Sequence, residues 1–142
     1  MAKKKVFVSF DYDKDKLYYY LMKAWDANPS FDFVFSDYSS KEIDSDDVAV
    51  VKRALSRKIG EATYSLIIVG EDANKKHKDS KEIGYTNWQN YEVAKSVEHK
   101  NKLVGVKIKS IYSAPTEMLG VGASWASSFT QEKIIDALND AK

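Results

Sequence analysis

Tyr64-Ser-Leu-Ile-Ile-Val69 is the stretch that decides the fold. It is short, almost wholly apolar and closed by Gly70. A continuous apolar run of this length suits a central parallel strand covered on both faces. Working outward, Lys5-Val-Phe-Val-Ser-Phe10 reads as a buried first strand and Leu103-Val-Gly-Val-Lys-Ile108 as a fourth. The alternation over residues 31–35, from Phe31 to Phe35, supplies the second strand, and a short fifth is expected around Ser124–Ser127.

Helical spacing fills the gaps between these runs. Leu17, Tyr20, Leu21 and Ala24 recur at that spacing beside Trp25, until Asn28-Pro29 stops the helix. Val48, Val51, Leu55 and Ile59 mark one face of a second helix. Asp44, Ser45, Asp46 and Asp47 stand at its start, where the dipole favours negative charge, and Gly60 fits its C′ position. Thr86-Asn-Trp-Gln89 has the form of a capping box, which makes Thr86 the N-cap of a third helix running to about His99. Val93, Ala94 and Val97 are its expected core stripe. Thr130 or Gln131 opens a last helix with Ile134, Ile135, Leu138 and Ala141 on one side. The longest unpatterned segment, Gly70–Tyr85, is expected to be functional or mobile.

Strands alternating with helices imply an α/β fold. The expected architecture is a three-layer open parallel sheet of four to five strands with helices on both faces, flavodoxin-like in outline, forming a single domain over residues 1–142. In such sheets ligands bind beyond the carboxyl ends of the strands. The segments of interest are therefore Ser9–Asp15, Ser36–Ser45, Gly70–Thr86 and the stretch after Ile108.

Composition narrows the chemistry. Hydrophobic residues make up 44% and charged residues 30%, a globular balance that excludes a disordered or coiled-coil chain. A net charge of +1 offers no footprint for nucleic acid. The longest apolar runs fall far short of the roughly 20 residues a membrane span needs, so no membrane partner is expected. The apolar stretch behind Met-Ala-Lys-Lys-Lys5 ends at Asp11, too soon for a signal peptide, so the expected compartment is the cytoplasm. With no cysteine there is neither a disulfide nor a thiolate nucleophile. The two histidines, His77 and His99, are expected at the solvent-exposed surface. No glycine-rich phosphate loop and no G-x-S-x-G elbow occurs.

Two constellations remain. Asp11, Asp13 and Asp15 follow the first strand, where a receiver domain holds Mg²⁺ on hard oxygen ligands. Such a domain also wants an aspartate directly at the end of the third strand, and Val69-Gly70 stands there. Helix capping and solvated charge explain the three carboxylates more simply, and no metal is expected. The second constellation is Trp88-Gln-Asn-Tyr-Glu92, which sets an aromatic ring and a carboxylate four apart on one helix face, on the ligand side of the sheet. A carboxylate at such a cleft can be desolvated, with its pKa raised.

These residues carry a resemblance. Val6-Phe-Val-Ser-Phe10 with Asp11-Tyr-Asp13, Tyr64–Val69, Thr86–Glu92 and Leu103–Ile108, in that order and spacing, resemble TIR and TIR-like domains. The likeness is to the short stand-alone TIR-like proteins of bacteria and archaea, including those of the Thoeris anti-phage defence system. The resemblance implies cleavage of NAD, as a substrate and not a cofactor, with release of nicotinamide. It implies a catalytic role for Glu92 and a nucleotide-binding role for Phe10, Asp11, Tyr12 and Trp88. The product would be a cyclic or modified ADP-ribose, a second messenger read by a separate effector protein. The segment Ser36–Ser45 matches the loop through which such domains self-associate. Adaptor members of the wider family act instead as non-catalytic interaction modules. The remaining aromatics, Trp25 and Trp125, are expected to pack, and the lysines of Lys75–Lys81 to form a solvated loop able to steer an anionic dinucleotide.

Overall fold

The sheet is five-stranded, wholly parallel and ordered β2-β1-β3-β4-β5, in a computed structural model that describes residues 4–28, 32–35 and 45–142. The strands are β1 (Lys4–Ser9), β2 (Phe33–Phe35), β3 (Tyr64–Val69), β4 (Lys102–Lys107) and β5 (Ser124–Ala126). The helices are α1 (Tyr12–Lys23), α2 (Val48–Glu61), α3 (Ser80–Ile83), α4 (Trp88–Glu98) and α5 (Gln131–Asp140). All six residues of β3 are buried, as its unbroken apolar run requires. The expected α/β architecture is what forms.

Alternation along the strands divides the core in two. Val6, Val8, Leu66, Ile68, Val104 and Val106 point to one face, where Tyr19 and Met22 of α1 and Ile134, Ala137 and Leu138 of α5 cover them. Phe7, Ile67 and Val69 point to the other, under Val51, Leu55 and Ile59 of α2 and Tyr91 and Val93 of α4. Each large aliphatic side chain so buried contributes roughly 1.5–3 kcal/mol. Three layers result because β3 offers apolar side chains to both sides.

Local details differ from the sequence reading. In α1 the buried residues are Asp15, Tyr19 and Met22, while Leu17, Tyr20 and Leu21 stand 72%, 47% and 53% exposed. Phe10 sets that rotation: its ring stacks on Tyr19 with centroids 4.7 Å apart. After Lys23 the chain tightens into a 3-10 turn, Ala24–Ala27, before Asn28 turns extended. Gly60 is not the C′ residue of α2, since the helix runs through it to Glu61 and Ala62 caps it. The glycine instead makes room for the exposed His99 ring, whose Cε1 would lie 3.1 Å from an added Cβ. Thr86 does not cap α4. Asn87 does, its side chain accepting from the Asn90 N–H at 2.9 Å. On α4 Val93 is buried as expected, but Val97 is 43% exposed, and polar Gln89, Asn90, Glu92 and Ser96 share the buried face. Trp125 is 44% exposed, yet its ring lies over Gly105, where a Cβ would fall 2.5 Å from the indole Cζ3. The expected loop at residues 36–45 lies, but for Ser45, outside the described residues, as do Phe31 and Pro29. Among the described residues no helix is long and apolar enough to cross a membrane.

Candidate functional site

The strand order reverses at β1, which has β2 on one side and β3 on the other. At such a switch point the two following loops diverge and leave a crevice. Here they are the turn after β1 and the long segment after β3. Gln89 clasps the diverging strands: its Nε2 donates to Ser9 O at 3.2 Å and Ile68 O at 2.8 Å. Its role is therefore not the capping box that its spacing from Thr86 suggested.

Above this clasp lies a cavity of about 340 Å³. Phe10, Asp11, Tyr12, Asp13 and Lys14 line it from the β1 side. Asp72 and residues 75–78 line it from the β3 side, and Asn87, Trp88 and Gln89 close it at the start of α4. The four residues expected to hold a nucleotide, Phe10, Asp11, Tyr12 and Trp88, thus share one cavity. Asp11 is the N-cap of α1, accepting from the Asp13 N–H at 3.1 Å. Burial raises its pKa, with Asp13 and Asp72 adding to the effect against the bonds from the Asp13 and Lys14 backbone. Trp88 meets His77 and Tyr91 edge-on, at 6.3 and 5.6 Å between centroids.

The long segment after β3 is well anchored, contrary to its patternless sequence. Asn87 Nδ2 donates to Ala73 O at 2.9 Å and Lys75 O at 3.0 Å. Asn90 Nδ2 lies 3.3 Å from both Ala73 O and Asn74 Oδ1, and Asn90 Oδ1 accepts the Glu117 N–H at 3.0 Å. His77 is half-buried in the cavity wall, not free in solvent, and its backbone N–H donates to Thr86 O at 2.8 Å. Asn87, Gln89, Asn90 and His77 do not stand out in the sequence as residues of this site. The only available signal was a run of amides at a helix start, where one asparagine is an ordinary cap.

Glu92 lies one turn beyond Trp88 but does not line the cavity. It is 4% exposed, and its Oε1 accepts from the Ser9 hydroxyl at 2.6 Å. Burial pushes its carboxyl up to about 8, while the Ser9 bond pulls the other way. The side chain is thus more fully desolvated than a cleft position alone would make it, and is mostly neutral at pH 7. Asp15 is also raised, to about 6, first by burial and then by Asp11 and Asp72. Asp11, Asp13 and Asp15 do not converge: Asp13 is exposed while Asp15 is tucked beneath Gly70, and among the described residues no three acidic or imidazole groups could hold a metal ion together.

A doubly covered parallel sheet with a crevice at its switch point defines the class, a doubly wound, flavodoxin-like α/β domain. The family follows from the sequence: the model for "Thoeris protein ThsB, TIR-like domain" matches residues 7–112, and the chain belongs to that family. Among solved structures, a prokaryotic SEFIR domain is similar at a TM-score of 0.54 and 12% identity, covering 96% of this chain and 94% of that one. A 2-desoxiribosyltransferase from Leishmania mexicana aligns at a TM-score of 0.49 and 7% identity, over 75% of this chain and 65% of that chain's length. No curated protein sequence matches the chain.

Proposed function

We propose that this TIR-like domain cleaves NAD, releases nicotinamide and makes a cyclic or modified ADP-ribose that serves as a signal in anti-phage defence. One observation carries the reading: the residues matched to nucleotide binding line a single cavity at the switch point, with Glu92 one helical turn behind Trp88. Departure of nicotinamide is neutral and leaves an oxocarbenium-like ribose, as in glycoside cleavage. A fixed carboxylate stabilises that charge, and no strong acid is needed. In the resting fold Glu92 is held by Ser9 and is mostly protonated. Turnover therefore requires the side chain to leave Ser9, lose its proton and turn to the ribose. That requirement suits an enzyme kept silent until a trigger arrives.

The test is incubation with NAD, alone and with phage lysate as trigger, while nicotinamide is followed by chromatography. Wild type is expected to release nicotinamide; folded Glu92→Ala and Glu92→Gln are expected to release none. Wild-type turnover in folded Glu92→Ala would end the proposal. The burial of Glu92 away from the cavity favours a second reading, a non-catalytic interaction module. That reading predicts no release under any trigger, together with concentration-dependent self-association.

A further inference from the structure

The cavity carries both signs of charge. Asp11, Asp13 and Asp72 lie close enough for Asp13 and Asp72 to act on the charge of Asp11, and the Lys14 ammonium among them is already 3.7 Å from both Glu71 and Asp72. Further along the segment after β3, Lys75, Lys76 and Lys78 have no carboxylate within ion-pair distance among the described residues. The segment that carries them is braced: Lys75 N donates to Asp72 O at 3.0 Å, Asn87 holds Lys75 O, and His77 N is tied to Thr86 O.

His77 sits in the middle of this cationic stretch. Its Nδ1 accepts the Asp79 backbone N–H at 3.0 Å. A nitrogen that accepts carries no proton, so the neutral ring keeps its one N–H on Nε2. Contact with the Trp88 ring limits the tilt of the imidazole. The result is a single oriented donor beside three unpaired ammonium groups. A wholly anionic ligand would be repelled by the carboxylates. A ligand with a compact polyanion at one end and hydroxyls or positive charge at the other satisfies both groups.

We propose that residues 75–78 form a diphosphate site, with the His77 Nε2–H as its oriented donor and Lys75, Lys76 and Lys78 neutralising charge, while Asp11 faces the sugar or base end of the same ligand. The proposal deepens the NAD reading and rests on it for the identity of the nucleotide, but not for the chemistry that holds the phosphates.

Isothermal titration of the full chain with ADP-ribose and with adenosine tests it. ADP-ribose is expected to bind at least about tenfold more tightly than adenosine, and to weaken as salt rises. His77→Ala is expected to lower ADP-ribose affinity about tenfold and leave adenosine unchanged, with His77→Gln restoring part through its amide donor. Lys76→Gln, at an exposed position with no folding role, is expected to cost about threefold for ADP-ribose alone. Equal affinity of wild type for the two probes, or an equal loss of both in His77→Ala, would overturn the site. So would unchanged binding in both His77→Ala and Lys76→Gln. Nicotinamide release separates the two readings. Phosphate-dependent binding without turnover under any trigger ends the NAD-cleaving proposal and keeps this site. Turnover in His77→Ala at the wild-type KM does the reverse.

Discussion

Ser9, the last residue of β1, donates its hydroxyl to Glu92 on the second turn of α4 across 2.6 Å, joining positions 83 apart in sequence. The bond lies in a site where Glu92 is all but removed from water. Its loss would leave a carboxyl oxygen with one partner fewer and no solvent to replace it.

Replacing Ser9 by Ala is therefore expected to cost about 1–3 kcal/mol of stability, the range for a buried group stripped of its partner. It should also move the Glu92 titration further up, because the Ser9 bond is what opposes the effect of burial. Carboxyl-labelled glutamate followed by NMR in wild type and Ser9→Ala reads the second effect. A midpoint unchanged or lower in the variant would contradict this account.

Glu92→Gln should change how stability depends on pH. The folded carboxyl titrates near 8 and the unfolded one near its ordinary value of 4.5, so between those values the native state binds more protons. Its contribution is fully present below pH 4.5 and is lost as pH rises through about 8. An amide does not titrate. Relative to wild type, the variant should gain stability steadily over that window, by on the order of 5 kcal/mol at most, and then level off. Asp15 has a raised pKa too, but it is common to both proteins and cancels in the difference. Urea melts at pH 5, 7 and 9 give the comparison. A gap that stays constant across the three would show that Glu92 is not buried as described.

The parts of the fold legible in sequence were those where one physical effect dominates. Tyr64–Val69 and Val6–Phe10 are short, almost wholly apolar and closed by Gly70 and Asp11, which suits strands covered on both faces. Helix faces were less legible. The α1 sequence has large apolar residues all round, and only the stacking of Phe10 on Tyr19 decides which side turns inward. At the start of α4, Thr86 and Asn87 are both good caps, and the choice falls to the one whose amide also reaches Ala73 O and Lys75 O. Phe10, Asp11, Tyr12 and Trp88 could be assigned by resemblance to one site. The depth of Glu92 could not be read, because it depends on how α4 packs against β1, where the Ser9 hydroxyl meets the buried carboxyl.

Gln89→Leu keeps the size of the side chain but leaves Ser9 O and Ile68 O without the amide that bridges them. Both carbonyls lie at the parting of β1 and β3, where the ladder is ending. The expected cost is about 2–4 kcal/mol, near the sum for two deprived buried acceptors. Amide hydrogen exchange should localise the loss: protection is expected to fall at the carboxyl ends of β1 and β3 and to hold in β4 and α5. A uniform fall across the sheet would mean that Gln89 acts through packing and not as a clasp.

Gly70 is the residue on which Asp15 rests. A Cβ there would run into the Asp15 carboxylate, whose Oδ2 is buried with no hydrogen-bond partner. Gly70→Ala is expected to destabilise by about 1–3 kcal/mol, as overpacking does. The cause is specific, so a second change should relieve it. Asp15→Ala vacates the space and also removes a desolvated acid, whereas Asp15→Asn keeps the same bulk. In the Asp15→Ala background Gly70→Ala should cost little, and in the Asp15→Asn background nearly its full amount. The two double-mutant cycles, measured by urea unfolding at pH 7, read this difference directly. Equal costs in both backgrounds would mean that the clash is with the backbone around Gly70 and not with Asp15.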